Sequence, residues 1–200
     1  MTDVSPYIGK LSRSGSCFIE APPQFTTHEL GAAVELFVFE HLTKFQQTLA
    51  VLPGFSLDDW TSGLKAYADV HPEYENLVFS YYPATADLEY QDDQGVFTQY
   101  LIGLGHLESE SWFDKKPRYY FEVKSTPLDW NTPLYMSGEQ YKKMKRICVD
   151  DDSVYIIFRV FNMLTDRIDV KLYINPAQLE EQGKLDFTTI GDWVVAPGIA

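Results

Sequence analysis

From Thr26 to about Gln47 the apolar residues Leu30, Val34, Phe37, Val38 and Leu42 recur at the spacing of one helical face. Thr26 and Glu29 stand three apart, as in a capping box, so the helix starts there. Pro53-Gly54 breaks the chain, and Leu57 to Ala68 reads as a second, short helix opened by Ser56 and two acids. The period then changes. Asn76 to Tyr82 is rich in Val, Phe and Tyr and reads as a strand that Pro83 ends. Ala86 to Gln91 and Val96 to Leu104 read as two more strands, joined by a turn at Asp93-Gln94-Gly95, and residues 105–117 as a loop. Arg118 to Ser125 alternates, with Phe121 and Val123 on one side and Glu122 and Lys124 on the other. Ser137 opens a helix that runs to about Cys148, with Gln140 at the capping-box position. Val154 to Phe161 is nearly all apolar, the pattern of a strand buried on both faces, whereas Ile168 to Ile174 alternates. Asn175-Pro176 opens a short helix that Gly183 ends, and Asp192 to Val195 reads as a last strand. The order is helix, three strands, helix, strand, with additions at both ends, which is an α/β pattern. Residues 1–25, with Ser, Gly and Pro22-Pro23, read as an irregular arm, and residues 26–200 as a single domain.

A chain of 200 residues, 45% apolar and 15% aromatic, can bury a sizeable core, which excludes a disordered or low-complexity protein. No run of 18 apolar residues is present, so no membrane span is expected, and Met1 to Lys10 lacks the apolar stretch of a secretory leader. Two cysteines, Cys17 and Cys148, cannot build a disulfide framework or a four-thiolate zinc site. The expectation is an intracellular protein of the cytoplasm or nucleus. The net charge of −13 argues against non-specific coating of nucleic acid. That charge is uneven, however. Residues 115–146 hold eight of the 16 basic residues and three acids, so the window is at +5 while the rest of the chain is at −18. Within it, Lys142, Lys143, Lys145 and Arg146 either meet a polyanion or form the solvated end of a helix, where cations suit the helix dipole.

The segment richest in chemistry is Tyr120-Phe121-Glu122-Val123-Lys124-Ser125-Thr126. Glu122 and Lys124 are two apart on a strand and project from the same face. A further acid, Asp87, opens the strand Asp87-Leu88-Glu89-Tyr90. Two carboxylates and a lysine converging at a sheet edge suit a hard cation, Mg2+ or Mn2+, that keeps open positions for water and phosphate oxygens. Taken by itself, E-x-K is also the pattern of a surface ion pair. The four histidines His28, His41, His71 and His106 share no metal-ligand spacing, and His28 and His41 read as helix-surface residues. Trp60, Trp112 and Trp130 read as core and loop packing, and Cys148 as a packed thiol.

Several of these pieces, in order, resemble the PD-(D/E)xK nuclease superfamily with its restriction-endonuclease-like fold, and more closely the family of domains found at the C-terminus of the plant protein NO VEIN and its relatives. Gly31-Ala32-Ala33-Val34-Glu35 is similar to that family's helix-borne G-x-x-x-E, and Ala86-Asp87-Leu88 to its short strand start. Phe121 to Thr126 resembles its E-V-K-[ST]-T strand, and Pro133 to Gln140 its apolar run leading into a capped helix. Phe158-Arg159-Val160-Phe161-Asn162 is similar to its aromatic-R-V-[YF]-N strand, and Asn175-Pro176 with Leu179 and Lys184-Leu185 to its tail. The resemblance covers about Thr27 to Phe187. It implies a restriction-endonuclease-like core with the N-terminal arm, an insertion near 95–117 and a C-terminal extension. It implies a Mg2+- or Mn2+-dependent nuclease that hydrolyses phosphodiesters in DNA or RNA. Asp87 and Glu122 would be metal ligands with the Val123 carbonyl nearby, Lys124 the catalytic lysine, Glu35 a support for metal or water, and Gln140 a contributor from the second helix. Lys142, Lys143, Lys145 and Arg146 would face the nucleic acid. Arg159 is open between a phosphate contact and a buried ion pair, Gln140 between a site residue and a cap, and Glu35 between site and solvent. With 34 residues between Asp87 and Glu122, Glu89 or Asp92 is an alternative second acid. The alternative function is a nuclease-like module without catalysis that binds a protein partner, or that serves as one module of a larger chain.

Overall fold

The computed structural model describes residues 26–74, 85–163, 165–189 and 193–197; the arm at 1–25 and the strand expected over 76–82 lie outside them. Helix α1 (Thr27–Leu49) begins at the expected capping box. The Thr26 hydroxyl accepts from the Glu29 N–H at 3.3 Å and the Glu29 carboxylate accepts from the Thr26 N–H at 2.6 Å. The region read as a second short helix is two 3-10 helices, Leu57–Asp59 and Gly63–Val70, followed by a third at Pro72–Tyr74. Then come β1 (Leu88–Gln91), α2 (Val96–Gly103), α3 (Ser109–Trp112), β2 (Arg118–Ser125), β3 (Leu134–Met136) and α4 (Gly138–Cys148). The chain continues with β4 (Ser153–Phe161), β5 (Asp169–Ile174), α5 (Pro176–Glu181), β6 (Leu185–Thr189) and β7 (Trp193–Pro197).

Four strands form a mixed sheet in the order β1-β2-β4-β5. β1 runs antiparallel to β2, β2 parallel to β4, and β4 antiparallel to β5. A parallel neighbour requires a crossover, which α4 supplies. Because β4 is covered on both faces, all its residues but the last are buried. On one face Tyr119, Phe121, Ile156 and Phe158 pack with Phe37 and Phe39 of α1 and Phe97 and Leu101 of α2. On the other, Tyr155, Ile157 and Tyr173 pack with Met144 and Ile147 of α4 and with Leu134, Leu185 and Val195 of a second sheet, β3-β7-β6. The fold is thus α/β, a mixed four-stranded sheet flanked by helices. No helix among the described residues is long and apolar enough to cross a membrane.

One expected strand is corrected. Val96 to Leu104 is not β; it is α2. Its apolar residues Val96, Phe97, Tyr100 and Leu101 follow the i, i+1, i+4, i+5 spacing of a helix face, which the β-branched and aromatic composition disguises. Gly95 turns the chain at φ 70°, a conformation that favours glycine, and the fully buried Asp92 caps the first turn. Its carboxylate accepts from both the N–H and the hydroxyl of Thr98, each at 2.8 Å. Asp92 therefore serves as a structural acid of α2. Removing it as Asp92→Ala is expected to cost about 1–3 kcal/mol, from the missing cap and the buried Thr98 N–H left without its acceptor; the Thr98 hydroxyl keeps its bond to Tyr119 at 2.9 Å. The check is a lower urea midpoint at unchanged denaturant slope. Strand β6 carries no sequence expectation; it is completed by pairing with β7, a partner from elsewhere in the chain.

Candidate functional site

Strand register builds the site. Leu88 pairs with Phe121, so Asp87, just before β1, lies at the end of β2 that carries Glu122. The backbone of Asp87 is held on both sides: its N–H donates to the Phe121 carbonyl, and its carbonyl accepts from the N–H groups of Thr61 and Ser62, all at 3.0 Å. Its carboxylate turns back and accepts from the Val123 N–H at 2.7 Å. Glu122 and Lys124 point to the face covered by α4, across from Ile157 and Arg159 of β4.

Glu122 is buried at 2% exposure and receives three donors. On Oε1 sit the Lys124 ammonium at 2.6 Å and the Gln140 amide at 2.5 Å. On Oε2 sits the Tyr155 hydroxyl at 3.0 Å. The Gln140 side-chain oxygen accepts from Lys124 at 3.0 Å and from the Ser137 N–H at 3.0 Å. Gln140 thus completes the capping box of α4 and at the same time touches Glu122 and Lys124.

Glu35 enters from α1. It is buried, and its two oxygens accept from the Trp60 indole N–H at 2.8 Å and the Ser62 hydroxyl at 3.0 Å. It therefore does not face solvent. Gly31, one turn earlier, lets the 3-10 helix at Gly63–Val70 come close: a Cβ there would meet Leu64 Cδ1 at 2.7 Å. That approach brings Ser62 and Trp60 to Glu35.

Burial raises the Glu35 carboxyl to about 7, against the pull of Trp60 and Ser62, and the charge of Glu122 adds to the rise. Asp87 is pushed well above the usual carboxylate range, first by burial, then by Glu122 and Glu35, while Lys124 and the Val123 N–H oppose. Burial, then Glu122, also pushes the Tyr155 hydroxyl up, so it stays a neutral donor. Asp87 and Lys124 keep part of their surface open, and the Lys124 side chain is 16% exposed. The oxygens of Glu35, Asp87 and Glu122 are close enough to affect one another's ionisation, but they are not all within 4.8 Å of each other.

A second cluster lies elsewhere. Glu40 of α1, His71 and Glu73 bring ligand atoms within 4.8 Å of one another, a set able to chelate a metal ion. Glu40 and His71 are half-buried and Glu73 is exposed. Pairwise spacing gives no sign of it, because Glu40 arrives from α1, 31 positions before His71. His41 is corrected too. It is mostly buried beside Phe37 and Phe45, where burial lowers its imidazole to about 4.

The remaining expected residues have structural partners. Glu89, opposite Tyr120 in the sheet, is tied to the Arg118 guanidinium at 2.9 Å and to the Thr85 N–H at 3.0 Å. Arg159, 2% exposed, forms no ion pair among the described residues; it donates to the Ser125 carbonyl at 3.0 Å and the Thr132 carbonyl at 2.8 Å, which clips the loop after Lys124. Lys142 pairs with Glu139 and Lys145 with Glu180, each at 3.0 Å. Lys143 is half-buried. Arg146 lines a cleft of about 430 Å³ with Thr85, Tyr120 and Asp150. The site residue that sequence patterning does not reveal is Tyr155; on an apolar strand it reads as core, and only the register of β4 against β2 aims its hydroxyl at Glu122.

Comparison of the chain with protein-family models, curated proteins and solved structures yields no match.

Proposed function

We propose that the chain is a divalent-metal-dependent nuclease domain of the PD-(D/E)xK kind, hydrolysing phosphodiesters in nucleic acid. One observation carries the reading: Asp87, Glu122, Lys124, Glu35 and Gln140, drawn from four separate parts of the chain, gather at one end of the sheet. The donor set fits Mg2+ or Mn2+. It offers carboxylate oxygens, and the burial and mutual repulsion that keep Asp87 and Glu35 protonated are what a bound hard cation would offset. Asp87 and Glu122 would hold the ion, and the ion supplies a bound water of lowered pKa and charge stabilisation at phosphorus. Tyr155 and Gln140 fix the Glu122 carboxylate. Lys124, at the open side, orients a water or stabilises charge on a phosphate oxygen. Glu35 holds a proton near neutrality within the same cluster.

The test is calorimetric titration of Mn2+, with and without a short oligonucleotide, on three proteins: the natural chain, Asp87→Ala/Glu122→Ala, and His71→Ala/Glu73→Ala. The Asp87/Glu122 variant is expected to lose one bound ion and all cleavage of DNA and RNA. The His71/Glu73 variant is expected to keep cleavage. Metal binding and cleavage untouched by removing Asp87 and Glu122 would sink the reading.

A second reading, a nuclease-like module that binds a protein partner, draws on the surface. Lys142 and Lys145 are already paired with acids, and Leu128 and Tyr135 are each 61% exposed. Reversing Lys142, Lys143 and Lys145 to Glu separates the two. Under the nuclease reading it weakens oligonucleotide binding and flattens its salt dependence, by roughly 0.9 in log–log slope for each phosphate no longer neutralised. An unchanged slope leaves this helix as a solvated face.

A further inference from the structure

Glu122 has about four acceptor directions, and three are filled: two on Oε1, by Lys124 and Gln140, and one on Oε2, by Tyr155. Gln140 and Tyr155 are fixed, the first by its capping bonds and the second by the buried strand β4. Lys124 is different. Its ammonium ends a flexible four-carbon stem, keeps a third donor beyond those given to Glu122 and Gln140, and reaches the open side of the site. At 2.6 Å it occupies a position on Oε1 where a cation bound to this carboxylate would compete with it.

Resting on the nuclease reading, we propose that Lys124 is the resting counter-cation of the carboxylate cluster and leaves Glu122 Oε1 when a divalent cation binds. Metal entry is then an exchange of one cation for another. The same exchange frees the ammonium for a phosphate, so Lys124 becomes available only once the site is loaded. Lys124 thus has two opposed effects, weakening metal binding and supporting cleavage.

The experiment is Mn2+ calorimetry without nucleic acid, on the natural chain and on Lys124→Met, both in a His71→Ala/Glu73→Ala background that silences the second cluster. Methionine keeps most of the length of the stem and removes the charge. Mn2+ affinity is expected to rise roughly ten- to a hundredfold, the worth of a hydrogen bond to a charged group. An equal or weaker affinity overturns the exchange. If affinity does not rise but Asp87→Ala/Glu122→Ala still abolishes binding to the natural chain, the exchange fails and the nuclease reading stands. If no Mn2+ binds that depends on Asp87 and Glu122, both fall. Should Lys124→Met not fold, the natural chain answers by NMR: the Lys124 side-chain amine signal must shift on addition of Mg2+, and a signal that does not move overturns the proposal.

Discussion

Lys124→Ala is expected to lower cleavage by roughly 10²–10³-fold while the chain stays folded. Lys124 sits at the end of β2 with part of its surface in solvent, and its ammonium is held by polar partners, Glu122 and Gln140, at the open side. Glu122 keeps two of its three donors, Gln140 and Tyr155, when the lysine is gone. The carboxylate is therefore still hydrogen-bonded, and a bound Mn2+ would offset the charge that the lysine leaves behind. What disappears is the cation that Glu122 and Gln140 hold at the open side of the cluster. Rates measured at saturating Mn2+, beside a thermal melt, check this. Because metal binding is expected to tighten when the lysine charge is removed, a fall in rate cannot be traced to an empty site. Undiminished cleavage in a folded Lys124→Ala protein would remove the proposed role.

Glu35→Gln is expected to stabilise the metal-free chain at pH 8 and to change it much less near pH 5. Burial raises the folded-state carboxyl from 4.5 to about 7, so between those values the folded chain binds more protons than the unfolded chain. Stability contributed by the proton is therefore full below about 4.5 and is lost as pH rises through 7. The cost of the buried charge at pH 8 is on the order of 3 kcal/mol, because each tenfold difference in proton affinity between the folded and unfolded chain is worth about 1.4 kcal/mol. Glutamine accepts one of the two bonds from Trp60 and Ser62 without carrying charge. Urea unfolding in the presence of a chelator, at pH 5 and pH 8, reads the difference. Trp60 fluorescence is a local probe, because its indole donates to Glu35. A Glu35→Gln chain less stable than the natural one at pH 8 would mean that the hydrogen bonds to the carboxylate outweigh its desolvation.

The pattern of apolar positions locates α1, α4, α5, β2, β4 and β5 within a few residues, because each buries a face whose period is written locally. The capping boxes at Thr26 and Ser137 are equally local. Where pattern and structure part, the cause is shared: a distant or competing partner decides. Val96 to Leu104 satisfies the composition of a strand and the spacing of a helix, and a turn capped by Asp92 resolves it. Trp60 reads as packing, and it does pack at 1% exposure, yet its indole N–H serves Glu35. Arg159 reads as an ion-pair partner or phosphate contact and instead holds two carbonyls.

Residue types and short spacings by themselves determined the α/β character, the two capped helices, and the pair Glu122 and Lys124 on one strand face. Alternation along a strand requires no partner to be legible. Only the tertiary structure decided that Asp87 and not Glu89 or Asp92 joins that pair, that Glu35 turns inward, that Tyr155 belongs to the site, and that Glu40 meets His71 and Glu73. Those relations depend on strand register and helix docking, which bring together residues many positions apart and are set by how the whole core packs.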